Sequence, residues 1–144
     1  MTINQRQDEL IVRFSKMESW LEKYKCIIQM GKELPAMDDV YRKDANLIWS
    51  CQAMVWVHSE EKNGRLFIMA DSDAFITKGL IALVLYVLSG QPITEIAASS
   101  LYFIDRINLK EHLTPNKSNG ILAMINGIQT LASEGRLIAA SCTI

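Results

Sequence analysis

Gln52-Ala-Met-Val-Trp-Val-His-Ser59, then Glu60-Glu-Lys-Asn63-Gly64, then Arg65-Leu-Phe-Ile-Met-Ala70 is the stretch that decides the fold. Val55, Trp56 and Val57 favour a pleated, half-buried strand, and a second apolar run begins at Arg65. Asn63-Gly64 joins the two. Both central residues of a type I′ turn need positive φ, which asparagine and glycine tolerate best. The prediction is an antiparallel hairpin with strands Gln52–Ser59 and Arg65–Ala70, and with Val57 pairing near Phe67.

The flanks of the hairpin read as helices. Asp71-Ser72-Asp73 offers N-cap chemistry for a helix from about Ala74 to Leu88. The second half of that helix is apolar nearly all round, which predicts the central buried helix. Gly90-Gln91-Pro92 breaks the chain, and a helix is predicted from Thr94 to Ile107, stopped by Asn108 in a left-handed conformation. Pro115 opens a turn before a last amphipathic helix with Ile121, Met124, Ile125, Ile128 and Leu131 on one face. Before the hairpin, Leu10, Phe14, Met17, Leu21, Tyr24 and Ile28 follow steps of four and three, which predicts one helix ending near Gly31 and Pro35. Residues 32–48 look loop-like, and the tail after Arg136 is expected to fray. The predicted class is α+β: one domain over 1–144, a small hairpin-containing antiparallel sheet covered by helices.

The 144 residues can bury a core without disulfides or a structural metal. Fifteen basic and sixteen acidic residues leave a formal charge of −1, which supplies no electrostatic footprint for nucleic acid or an anionic membrane. Trp20 and Trp56 are therefore expected in the core, and Trp49 nearer the surface. The polar start, Thr2 to Glu9, predicts no secretory leader. The longest apolar run, Gly79 to Leu88, is short of the ~20 residues that span a bilayer. Cys26, Cys51 and Cys142 show no CxxC and no zinc spacing. Free thiols in a cytoplasmic protein are the expectation.

Cys51 lies where irregular chain meets strand, between Ser50 and Gln52, which can hydrogen-bond a thiolate. A thiol on a loop held by a rigid hairpin can be presented to another protein. A free cysteine is equally a small buried hydrophobe. Cys26 falls opposite the centre of the helical stripe, partly exposed or under a second layer. An iron–sulfur scaffold needs converging thiolates, and a mid-helix Cys26 with a tail Cys142 disfavours one. His58 is expected as a surface histidine near the hairpin end, and His112 as a capping or packing residue. Asp71 and Asp73 are expected first as caps and second as partner contacts. Lys117-Ser-Asn-Gly120 reads as a capped helix start, with no Walker spacing.

Four blocks, in order, resemble the SufE family. They are Trp20-Leu-Glu-Lys-Tyr24 with Ile27-Ile-Gln-Met-Gly31-Lys-Glu-Leu-Pro35, then Ser50-Cys51-Gln52-Ala53-Met54-Val55-Trp56, then Ala70-Asp-Ser-Asp-Ala-Phe-Ile-Thr-Lys-Gly-Leu80, and His112-Leu-Thr-Pro-Asn-Lys-Ser-Asn-Gly120. The third resembles the family's Asp-Ser-Asp-Ala-x-Ile-x-Lys-Gly. Ser50 stands where the family usually has glycine, Ala53 where it has serine, and Lys117 where it has arginine. Lysine keeps the charge but loses the bidentate fork.

The resemblance implies a SufE-like fold, similar to iron–sulfur scaffold domains. It implies that Cys51 accepts persulfide sulfur from a pyridoxal-phosphate cysteine desulfurase, stimulates that enzyme, and relays sulfur to an iron–sulfur scaffold complex. The pyridoxal phosphate belongs to the partner, and no cofactor is expected in this chain. The chain would be a sulfur carrier without stand-alone catalysis, a monomer or weak homodimer. Ser50, Gln52, Asp71, Asp73, His112 and Lys117 are the expected supporting or partner-binding residues. The other reading is an interaction protein that binds a desulfurase or scaffold without carrying sulfur.

Overall fold

The structure is a computed structural model and describes residues 1–49 and 54–135. Ser50, Cys51, Gln52 and Cys142 lie outside the described residues, as does the placement expected for the Trp49 side chain. The elements are α1 (Ile3–Ser15), α2 (Trp20–Lys32), β1 (Leu47–Trp49), β2 (Met54–Lys62), β3 (Arg65–Ser72), α3 (Phe75–Leu88), β4 (Gln91–Pro92), α4 (Ile93–Ala98), α5 (Phe103–Arg106), α6 (Leu109–His112) and α7 (Pro115–Glu134). The strands form one antiparallel sheet in the order β1-β2-β3-β4. With seven helices among the described residues, the class is α+β, as expected.

The hairpin forms around Asn63 (φ 54°) and Gly64 (φ 76°), the backbone of a type I′ turn. A two-residue loop sets Lys62 opposite Arg65, and the register follows by counting. Val57 therefore faces Ala70, while Phe67 faces Glu60, which corrects the expected Val57–Phe67 neighbourhood. Val55, Val57, Leu66, Ile68 and Ala70 share the buried face. Trp56 falls on the other face by parity, between Leu47 of β1 and Asp71 of β3, and is only partly buried. The core position expected for it is thus wrong. Trp20 packs partly buried against the core.

Several sequence boundaries shift, and β2 runs on to Lys62 and β3 to Ser72, past the expected Ser59 and Ala70. The predicted helix through Leu10 and Ile28 is two helices. Ser19 caps the second by accepting the Glu22 N–H at 3.2 Å, while the apolar stepping runs on across the break. Leu21, assigned to the stripe, is 62% exposed. Within the loop-like 32–48, Leu47 and Ile48 begin β1; three residues are too few for alternation to show. The predicted Thr94–Ile107 helix is interrupted after Ala98. Gln7, fully buried, accepts the Phe103 N–H and donates to the Ser100 carbonyl, and Gln129 donates to the Ile96 and Ser99 carbonyls. These amides supply the partners that a continuous helix would have supplied, so the break is stable when buried.

The central helix is α3, as predicted: ten of its fourteen residues are buried. α2 crosses it at Gly31 and Gly79. A Cβ on Gly31 would sit 2.7 Å from the Gly79 nitrogen, and one on Gly79 would sit 2.3 Å from the Ile27 carbonyl oxygen. Gly31 therefore serves close helix approach, and α2 ends at Lys32, between Gly31 and Pro35 as expected. Asn108 takes the expected left-handed conformation (φ 61°). Thr114 caps α7 and Pro115 occupies its first turn. Ile121, Met124, Ile125 and Ile128 are buried, with Leu131 at the margin.

Candidate functional site

The cysteine loop is framed by paired strands. Trp49, last of β1, lies opposite Met54, first of β2, and residues 50–53 connect them. Beyond this ladder, Asp71 and Asp73 hold the segment that leads into β1 and the first residue of β2.

On the downstream side, the Met54 N–H donates to Asp73 Oδ1 at 3.0 Å. On the upstream side the link runs through Asp71. Strand parity puts its side chain on the face with Trp56, where only 10% of it is exposed. Arg42 reaches in from the segment that leads to β1 and donates through Nε at 2.9 Å and Nη2 at 2.6 Å to Asp71 Oδ2. Lys78 of α3 lies 3.3 Å from Oδ1, which also accepts the Ser72 N–H at 2.8 Å. Arg42 bonds Asp39 as well. The Asp71-Ser72-Asp73 tripeptide thus bonds both the segment that leads into β1 and the first residue of β2.

This corrects the capping expectation. The N-cap position of α3 is Ala74, whose methyl group cannot cap, and the Ala74 N–H donates to Ser72 Oγ at 3.3 Å. An Asp-x-Asp before a helix matches an N-cap pattern, but the strand continues through Ser72, and the Asp71 oxygens go to Arg42, Lys78 and the Ser72 N–H instead of to the N–H groups of the first turn of α3. Arg42 was not singled out from the sequence. The available signal was a carboxylate at a strand position, which demands a cation when buried.

Burial raises the Asp71 carboxyl, but hydrogen bonds from Arg42, the Ser72 N–H and Lys78 outweigh it, and the group sits below the ordinary 3.8. The Arg42 guanidinium is held above its usual value, chiefly by its hydrogen bond to Asp71. A depressed carboxyl contributes stability that is present above its unfolded value and lost as pH falls through its folded value. Asp71→Asn is accordingly expected to cost about 1–2 kcal/mol at neutral pH, after discounting for the solvent reaching Arg42 and Lys78. Urea unfolding from pH 7 downward should show the gap to wild type constant above about pH 5 and closing below it.

The remaining candidates separate. Lys117, partly buried in the first turn of α7, lines a small cavity of about 20 Å³ with Val55 of β2 and Thr77 of α3, so it flanks the start of β2. His112 is exposed and stacks on Trp20, with centroids 4.2 Å apart and planes 13° apart. Of its two expected roles, this is packing. His58 is not the surface histidine expected: its side chain is 23% exposed and stacks on Tyr41 at 3.9 Å. The 3₁₀ turns at Asp39–Tyr41 and Asp44–Asn46 lay Tyr41 over this face of the sheet. Cys26 is half-buried on α2 against the core. Among the described residues no group of three or more His, Cys, Asp or Glu converges as a metal site, and no helix is long and apolar enough to cross a membrane.

Residues 8–132 match the model of the SufE family, the Fe-S metabolism associated domain. An uncharacterized SufE-like protein of Rhizobium meliloti is 36% identical over 137 residues, covering 92% of this chain and 97% of that protein. One from Rhizobium etli is 34% identical over 127 residues, covering 85% and 86%. The solution structure of a hypothetical protein from Thermus thermophilus has the same fold, with a TM-score of 0.74 at 16% identity, over 90% of this chain and 94% of that one. With a family model spanning both strands around the cysteine loop and relatives matched nearly end to end, the chain belongs to the SufE family of iron–sulfur metabolism.

Proposed function

We propose that the protein accepts sulfur on Cys51 from the persulfide of a pyridoxal-phosphate cysteine desulfurase and passes it toward iron–sulfur cluster assembly. The observation that carries the reading is the double tether. Arg42–Asp71 holds the segment that leads into β1, and Asp73 holds Met54, the first residue of β2, so the strands that flank residues 50–53 are fixed on both sides. A fixed frame lowers the entropy lost when the thiol is placed in a partner's active site. Family membership supplies the iron–sulfur context.

The transfer is a thiolate exchange. Cys51 Sγ, as thiolate, attacks the outer sulfur of the desulfurase persulfide. The S–S bond of that persulfide breaks, a new S–S bond forms to Cys51, and the desulfurase cysteine leaves with the electron pair. The proton that Cys51 gave up balances the one the leaving thiolate takes, and nothing is oxidised or reduced overall. An ordinary thiol near ~8.5 is largely protonated at neutral pH, so contact with the partner must favour the thiolate. Lys117, a fixed positive charge flanking β2, suits that role or docking against an acidic group.

Clearing the persulfide frees the desulfurase for another turnover. Alanine formation from free cysteine should therefore rise several-fold on adding this protein. Binding to a desulfurase with no rise in turnover would favour the interaction-protein reading.

A further inference from the structure

Phe75 opens α3 and is 76% exposed, although α3 is the most buried helix of the fold. A second exposed aromatic, Phe67, is 44% exposed and lies over Gly90. Single exposed apolar residues are ordinary on protein surfaces, so the place of Phe75 has to carry the argument.

That place is beside the cysteine loop. Phe75 is two residues beyond Asp73, so their Cα atoms are at most about 7 Å apart, and Asp73 Oδ1 is 3.0 Å from the Met54 nitrogen. A standard interface covers about 800 Å² on each partner, a patch of roughly 16 Å radius. Any enzyme that takes the Cys51 thiol into its active site must close over residues flanking 50–53, and Phe75 falls within that footprint. Aromatic side chains are enriched among the residues that dominate such interfaces, because they bury much area at low entropic cost.

We propose that Phe75 is an anchor of the desulfurase interface, seated in an apolar pocket on the enzyme at the rim of its active site. The inference rests on the function proposed above and names a residue that sets affinity for that partner. Phe75 touches no reacting atom. It acts on docking, so its loss raises the concentration of carrier needed and leaves the rate at saturation unchanged.

A panel of cysteine desulfurases is first screened with the wild-type protein for sulfur loading of Cys51. With the enzyme that loads it, Phe75→Ala should weaken binding by calorimetry about 30-fold, the loss typical of a central anchor. The carrier concentration giving half-maximal stimulation should rise by the same factor, with unchanged maximal stimulation and unchanged Tm. Phe75→Trp should restore most of the affinity, and Val12→Ala, which trims an exposed apolar residue of α1, should have no effect. Wild-type affinity for Phe75→Ala, or an equal loss with Val12→Ala, overturns the anchor while leaving sulfur acceptance intact. If no desulfurase loads the wild type, the functional reading fails and the anchor with it.

Discussion

Cys51→Ser is expected to bind the desulfurase with wild-type affinity, to gain no sulfur, and to lose the stimulation of turnover completely. Serine differs from cysteine by one atom and keeps the volume and polarity of the position, so docking contacts persist. The hydroxyl cannot replace the thiol as nucleophile, because its alkoxide is inaccessible near neutral pH and oxygen has little affinity for divalent sulfur. Cys26→Ser should retain the stimulation, since Cys26 packs half-buried on α2 against the core. Calorimetry for binding and alanine release for turnover separate the two effects. Stimulation that survives Cys51→Ser means the chain acts through contact alone.

Gly79→Ala is expected to lower Tm by about 8 °C without changing the chemistry of the loop. The added methyl would stand 2.3 Å from the Ile27 carbonyl oxygen and 2.6 Å from Ile27 Cγ2, and backbone cannot swing aside as a side chain can. Forcing α2 off α3 costs about 2–3 kcal/mol even after the helix propensity gained by replacing glycine. For a chain of this length each kcal/mol corresponds to roughly 3–4 °C. Gly64→Ala is the contrast. Its Cβ would meet open space, and only the positive φ of 76° opposes it, at about 1 kcal/mol. Thermal unfolding by circular dichroism ranks the two. Equal shifts would mean that the α2–α3 crossing relaxes freely.

The elements that could be read from sequence are those whose information is local. Asn63-Gly64 names its own turn type, and the register of β2 and β3 follows from it. Pro115 places the start of the last helix to within a turn, although it is itself the first residue of α7, with Thr114 as its cap. The apolar run to Leu88 can only be buried. What could not be read depends on residues far apart in the chain. β1 exists because Leu47–Trp49 finds β2, and three residues carry no period of their own. The break before Ser19 is hidden because Leu10, Phe14, Met17 and Leu21 keep stepping by three and four across it. The interruption of the helix predicted from Thr94 rests on Gln7 and Gln129, amides from α1 and α7.

The candidate site divides in the same way. The family was legible in four blocks of sequence, and the family match over residues 8–132 bears that recognition out. The frame was not. Asp71 meets Arg42 across 29 residues of chain, and Asp73 meets Met54 across 19. Both acids precede a helix, so local reasoning assigns them to its cap. The strand's parity overrides that assignment for Asp71, because a residue opposite Trp56 must face the same side as Trp56.

Intact-protein mass spectrometry after incubation with a cysteine desulfurase, pyridoxal phosphate and free cysteine decides whether this chain carries sulfur. The expected result is the gain of one sulfur atom, mapped by peptide analysis to Cys51 and removed by a reductant. An unchanged mass despite measurable binding to the desulfurase, or sulfur found on Cys26 or Cys142 instead, would contradict it.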